Sequence, residues 1–366
     1  MTRRIVVTGM GAVTPHGDLA QSVAAVAAGR SAIGPVRSFE TSSFTQTLAG
    51  ECLVFDPRPW FRPAKALKLT DRRTRFAVAA AAMAVADAGL DAAAVEPAGV
   101  VIGTSGSDVQ TEDVGRALGG PEEGDARDID YFAGRVLRRL NPLWLLVNLA
   151  NMASAHVAIQ LGARGPNSTI TTDWIAGLQA IGEAARWIAG GESDLVVAGA
   201  ADSGVLPFAF ASFEESGFFE GGEPRFVPGE GAAAFVVEEL GHARARGGRI
   251  IAEITGYASA QGDLATAARR SLDQSGTAGE DVDAVYDAAV FTPRHRHLDD
   301  AAADALFTNA PSRFECSSLL GHALAASAPV ALAVAAASRP PGTILVNSVG
   351  AFGQAASIVI KGRVAA

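Results

Sequence analysis

GPNSTITTDWIAGLQAIGEAARWIAGGESDLVVAGAAD, running from Gly165 to Asp202, is the stretch on which the reading of the whole chain turns. Ile175 to Ala189 is an alanine-rich stretch of helical type, and Gly190 and Gly191 end it. DLVVAG, from Asp194, follows as a short apolar strand. The same alternation recurs on both sides. IVVTG near Ile5, GVVIG at Gly99, AAAFVV at Ala232 and IIAEITGYA at Ile250 predict strands, and helices are expected across Arg75–Gly89, Leu145–Leu161 and Ala323–Ala337. Such alternation predicts a layered α/β architecture around a buried, largely parallel sheet. The charged connector GHARARGGR, Gly241 to Arg249, separates a longer half, 1–245, from a shorter one, 246–366. GEGAAAFVV at Gly229 and GQAASIVI at Gly353 close the two halves in comparable ways, which reads as a pseudo-repeat. Leu118 to Asp130, rich in Gly, Glu and Asp, is expected to be an exposed loop.

The chain has 366 residues, 49% hydrophobic and 19% charged, which fits a well-buried globular protein and excludes disorder. A net charge of −9 offers no general attraction for nucleic-acid phosphates, in spite of the small cluster Arg135, Arg138 and Arg139. Only three lysines, Lys65, Lys68 and Lys361, stand among the 30 basic residues. Cys52 and Cys316 are too few and too far apart for a disulfide framework or a metal site, and fit a reducing cytoplasm. No secretory signal is expected at the N-terminus. The uncharged run Ala323 to Ser338 falls short of the roughly 20 residues that span a bilayer and suits a core helix.

VTGMGAVTPHG, Val7 to Gly17, places G-x-G after a strand, but a dinucleotide turn needs a third glycine and a helix where Pro15 stands. The string resembles instead the opening of a β-ketoacyl synthase, the condensing enzymes of the thiolase superfamily. LTDRRTRFAVAAAAMAVADAGLD from Leu69, NMASAHVAIQLGARGP from Asn151, the block at Gly165, and FVPGEGAAAFVVEELGHARARGGRIIAEITGYA from Phe226 resemble that family in the same order. The resemblance spans nearly the whole chain. It implies the thiolase-like fold, α/β in five layers αβαβα built from two pseudo-repeated halves.

The resemblance also implies a cysteine nucleophile on the turn Thr171-Thr172-Asp173-Trp174-Ile175-Ala176-Gly177, where backbone N–H groups stabilise the thioester oxyanion. Trp174 stands in the place of that cysteine. An indole N–H only donates and cannot attack a thioester. Thr171 and Thr172 have no base beside them in sequence to activate their hydroxyls. The family's His-Gly-Thr histidine falls on Val290 or Phe291, and its lysine on Ser317, while Gly321 and His322 keep the Gly-His pair. His295 and His297 follow without the motif and read as solvent-facing loop residues. Where the family has Asn-Ser-Phe-Gly-Phe-Gly-Gly-Thr-Asn, this chain has Asn347-Ser348-Val349-Gly350-Ala351-Phe352-Gly353-Gln354-Ala355, so its gate and second oxyanion N–H are altered. Gly262 to Val282 is shorter than in the family, as if an entrance loop were trimmed. Groups that act as a unit fail as a unit, and loss of the nucleophile alone costs on the order of a million-fold in rate.

Such a dismantled member resembles the chain length factor of bacterial type II polyketide synthases, a non-catalytic subunit paired with a catalytic ketosynthase. That resemblance implies a heterodimer in which Ser168, Thr169, Ile170, Thr171 and Thr172 extend the partner's sheet. It implies a shared acyl tunnel with Val109, Glu112, Asp113 and Arg116 as gating candidates, and Trp144 as a further one. Glu112 and Asp113 are unexpected in an apolar tunnel, and facing solvent or pairing with arginines is the alternative. No cofactor is implied beyond acyl chains on the phosphopantetheine of a separate acyl carrier protein, contacted mainly through the partner. Two other readings remain: a malonyl-carrier-protein decarboxylase or acyltransferase using His322, and a self-associating scaffold.

Overall fold

The computed structural model describes residues 3–106, 111–119, 128–220, 226–287, 293–309, 311–338 and 342–362, with the backbone alone at 111–112 and 293–298. Ten strands carry the architecture: β1 (Ile5–Val13), β2 (Gly99–Gly103), β3 (Asn167–Ile170), β4 (Leu195–Ser203), β5 (Glu230–Glu239), β6 (Ala252–Gln261), β7 (Ala284–Asp287), β8 (Ser312–Glu315), β9 (Thr343–Val349) and β10 (Gln354–Gly362). Their order is β8-β7-β9-β10-β6-β1-β5-β4-β2-β3. Outward from β1 and from β6 the plan is the same, two antiparallel pairings and then two parallel ones. The two five-stranded sheets meet only where Ile5, Val6 and Val7 pair with Ile254, Glu253 and Ala252.

Antiparallel pairings therefore outnumber parallel ones, and the expectation of a largely parallel sheet is corrected to a mixed one. The physical reason is topological. A β-α-β rhythm limits local connections, but β1 takes as neighbours β5 and β6, both distant in sequence, and nothing in a local pattern encodes that choice.

Six helices complete the layers: α1 (Arg72–Asp87), α2 (Met152–Leu161), α3 (Ala176–Gly190), α4 (Leu264–Ser275), α5 (Pro293–Leu306) and α6 (Ser327–Ser338). α1 covers the outer face of β1, β5 and β4, and α4 covers β6, β10 and β9 in the same way. α3 and α6 touch each other and strands of both sheets, forming the middle layer. The result is the five-layered thiolase-like sandwich. A helix with protein on every side needs no polar face, which explains why Ser327 to Ala335 are all buried in α6. Among the described residues, no helix is long and apolar enough to cross a membrane. The expected helix Leu145–Leu161 is broken into Trp144–Asn148 and α2, and His295 and His297 lie in α5 rather than in a loop.

G-x-G in β1 serves packing. A Cβ on Gly9 would sit 2.2 Å from the carbonyl oxygen of Ala84, and one on Gly11 2.2 Å from that of Ala80. α1 thus rests directly on the strand backbone, with alanines facing glycines. Gly11→Ala is expected to cost about 1–3 kcal/mol by overpacking, read as a lowered urea midpoint of the purified chain. An unchanged midpoint would mean that α1 can move away freely.

The pseudo-repeat extends to the entrances of the middle helices. A 3-10 turn, Asp173–Ile175, leads into α3, and another, Leu324–Ala326, leads into α6. Each begins with a non-glycine residue at positive φ, 60° for Asp173 and 50° for Leu324. That conformation costs of order 1 kcal/mol, and Asp tolerates it better than Leu because its side chain can bond locally.

Candidate functional site

β3 delivers the chain to the site. Among the described residues it is the last strand of its sheet and pairs only with β2, from Val100 opposite Asn167 to Gly103 opposite Ile170. Beyond Ile170 the backbone leaves the sheet through exposed Thr171 and Thr172, and the positive φ of Asp173 turns it inward. Trp174 follows, only 3% exposed.

Its indole is packed on several sides. The Phe226 ring lies parallel to it at 5.8 Å, the Phe218 ring meets it edge-on at 5.3 Å, and the His322 imidazole meets it at 4.8 Å and 62°. Phe210, Phe213, Phe219, Val205 and Leu324 close the cluster behind them. Each aromatic pair contributes about 0.5–1.5 kcal/mol beyond the area it buries. The space beside the start of α3 is therefore filled with rings. Sequence reading missed those of 205–226; the repeated phenylalanines in PFAFASFEESGFF were the available signal.

His322 is 2% exposed and fixed by its own backbone. Its N–H donates to the carbonyl of Val227 at 2.8 Å, and its carbonyl accepts from the N–H of Gly229 at 2.9 Å. Trp174 and Phe226, whose ring is 5.5 Å away, both pack against the imidazole. Ser317, half-buried, starts a short helix, and its hydroxyl donates to Glu315 at 3.4 Å. Val290 and Phe291 lie outside the described residues, between the end of β7 and the start of α5.

The C-terminal loop after β9 is tied to the same turn. The N–H of Ala351 donates to the Asp173 carboxylate at 2.6 Å. Burial pushes the Asp173 carboxyl up from its ordinary range, and the Ala351 amide pulls it partly back. The Ser348 hydroxyl donates to the carbonyl of Trp174 at 3.2 Å. Phe352 points away from this centre and is 75% exposed. Sequence analysis passed over Asp173, because its partner in the loop is 178 residues away.

Comparison with known proteins decides the family. The profile of "Beta-ketoacyl synthase, N-terminal domain" matches residues 2–243. "Putative polyketide beta-ketoacyl synthase 1" of Streptomyces halstedii is 32% identical over 359 residues, covering 89% of this chain and 83% of that protein. The chain belongs to the β-ketoacyl synthase family. The 3-oxoacyl-(acyl-carrier-protein) synthase 2 of Coxiella burnetii (strain RSA 493 / Nine Mile phase I) is 30% identical over 356 residues, with the same coverage of 89% and 83%. Among solved structures, "The ishigamide ketosynthase/chain length factor" superposes with a TM-score of 0.84 at 26% identity over 100% of both chains.

Within this β-ketoacyl synthase fold, the gating candidates fall on and around the helix Thr111–Leu118. Val109 lies outside the described residues, and of Glu112 only the backbone is described. Asp113 accepts from Arg116 at 2.6 Å, and the Arg116 side chain is 75% exposed. In the single chain these two form a surface ion pair one helical turn apart, worth a few tenths of a kcal/mol. Trp144 starts the helix Trp144–Asn148, half-buried, with Leu143, Leu145, Leu146 and Leu149 exposed around it. Ser168, Thr169 and Ile170 lie in β3, whereas Thr171 and Thr172 lie past its end. Thr169 shares a 2.6 Å hydrogen bond with Ser154 of α2, and α3 also packs against β3.

Proposed function

We propose that this chain is a chain length factor: a non-catalytic β-ketoacyl synthase-like subunit that pairs with a catalytic ketosynthase of a type II polyketide system and closes its acyl tunnel. One observation carries this reading. The position of the family's nucleophile holds Trp174, buried between Phe226, Phe218 and His322, where neither an acyl thioester nor malonyl carrier protein has room. The same packing weighs against a decarboxylase built on His322.

Two surface features support a partner chain. β3 offers a free edge whose N–H and C=O groups a second sheet can continue. Leu143, Leu145, Leu146 and Leu149 are exposed together, and large contiguous apolar surface marks protein interfaces. The name of the solved ishigamide ketosynthase/chain length factor couples the two subunit types in that protein. In this reading the carrier protein docks mainly on the catalytic partner, and the acyl chain rides on its phosphopantetheine.

Co-expression with a catalytic ketosynthase of a type II polyketide system, drawn from the same genome, tests the proposal. A one-to-one complex is expected to co-purify, and product chain length to change when this chain is left out. Failure to co-purify, together with unchanged product length and yield, would refute it. A stable homodimer indifferent to any ketosynthase would favour the scaffold.

A further inference from the structure

We propose that Asp287, Asp299 and Arg313 form a proton-dependent latch that holds α5 on the outer face of the sheet, closed while the two carboxyls share a proton and loosened when it leaves. This inference concerns the single chain and stands whether or not the chain is a chain length factor.

The three residues come from three elements. Asp287 ends β7, Arg313 lies in the neighbouring strand β8, and Asp299 belongs to α5. One guanidinium nitrogen of Arg313 donates to Asp287 at 2.9 Å and also to Asp299. Both carboxylates are buried, 5% and 6% exposed. Asn347 of β9, opposite Asp287 in register, donates to its other oxygen at 3.1 Å and accepts from the Ser357 hydroxyl at 2.8 Å. Asp287 is thus fixed to the sheet, and Asp299 is the member that can leave with its helix.

Charge decides when it leaves. Two carboxylates share one cation, and Glu315, opposite Asp287 in register on β8, adds a third, half-buried carboxylate to the same edge. A buried negative charge without its own counter-ion is costly, so the pair keeps a proton. Burial, and then the Asp287 charge, push the Asp299 carboxyl up to about 7 against the pull of Arg313. Among the described residues, the apolar grip of α5 beside Asp299 rests on Ala302 and Leu306 of the same helical face, packed with Leu264 and Ala267 of α4 and with Val349 and Ala355. The charges of α4 nearest to it are engaged elsewhere: Asp263 accepts from Thr266, and Arg269 donates to the carbonyl of Ala305 at 3.4 Å. Asp300 and Asp304 of α5 are exposed. Once undocked, Asp299 is solvated and ionises at about pH 4. The proton therefore stabilises the docked helix fully below that range, and the effect is lost as pH rises through about 7.

Hydrogen–deuterium exchange of the full chain, alone or co-purified with its partner, tests the latch. Corrected for the pH dependence of chemical exchange, the opening equilibrium of α5 is expected to rise about tenfold between about pH 6 and 8. Asp299→Asn keeps a neutral group of the same shape against Arg313 and should make that equilibrium level over the same range, although His295 and His297 stand in the same helix. A level response in wild type, or a rise that survives Asp299→Asn, overturns the proposal. If Asp299→Asn does not fold, the carboxyl carbon resonance of Asp299 in wild type decides. It should titrate near neutrality, and a midpoint in the ordinary carboxylate range would overturn the inference.

Discussion

Trp174→Ala is expected to lower the unfolding free energy by about 3–5 kcal/mol, the range for truncating a buried large aromatic to alanine. Roughly 150–250 Å² of indole surface leaves the core, and the neighbours cannot collapse to fill it. Phe226 is held between Phe213, Phe219 and His322, and His322 is pinned through its backbone to Val227 and Gly229. The void would open beneath the turn that continues from β3, so assembly with a partner should weaken along with stability. Chemical denaturation of wild type and variant, with a co-purification assay in parallel, checks both. Trp174→Phe should cost clearly less, because a ring is kept against Phe226. If Trp174→Ala is as stable as wild type, the indole is not a structural plug.

Trp174→Cys is expected to restore no condensation, leaving turnover at the wild-type background, on the order of a million-fold below an active enzyme. The reason lies around the thiol. The Asp173 carboxylate next to it would oppose thiolate formation and already accepts the amide of Ala351. Ser317 supplies no cation, and neither Val290 nor Phe291 supplies an imidazole. Intact-protein mass spectrometry after incubation with acyl carrier protein should show no stable acylation, and carbon dioxide release from malonyl carrier protein should stay at background. Acylation with turnover would show that the site was only one residue from activity.

The strand starts near Ile5, Gly99, Asp194, Ala232 and Ile250 were legible because each is a short apolar run between glycines and alanine-rich helices. Trp174 stood out in the sequence because its neighbours on both sides resemble the family. Asp113 pairing with Arg116 was open to reading as well, since three residues is one helical turn. The mixed direction of the sheet was not legible, nor was the break before α2. Both depend on which distant segments lie side by side.

Sequence by itself determined the layered α/β class and the family, because these rest on residue type and on local order along the chain. Only the tertiary structure decided what surrounds Trp174. Phe218 and Phe226 reach Trp174, and Ala351 reaches the Asp173 carboxylate, across gaps that no periodicity spans. Contacts between remote segments are set by how whole layers stack. The turn where the family resemblance expects a cysteine is, in three dimensions, packed with rings around Trp174.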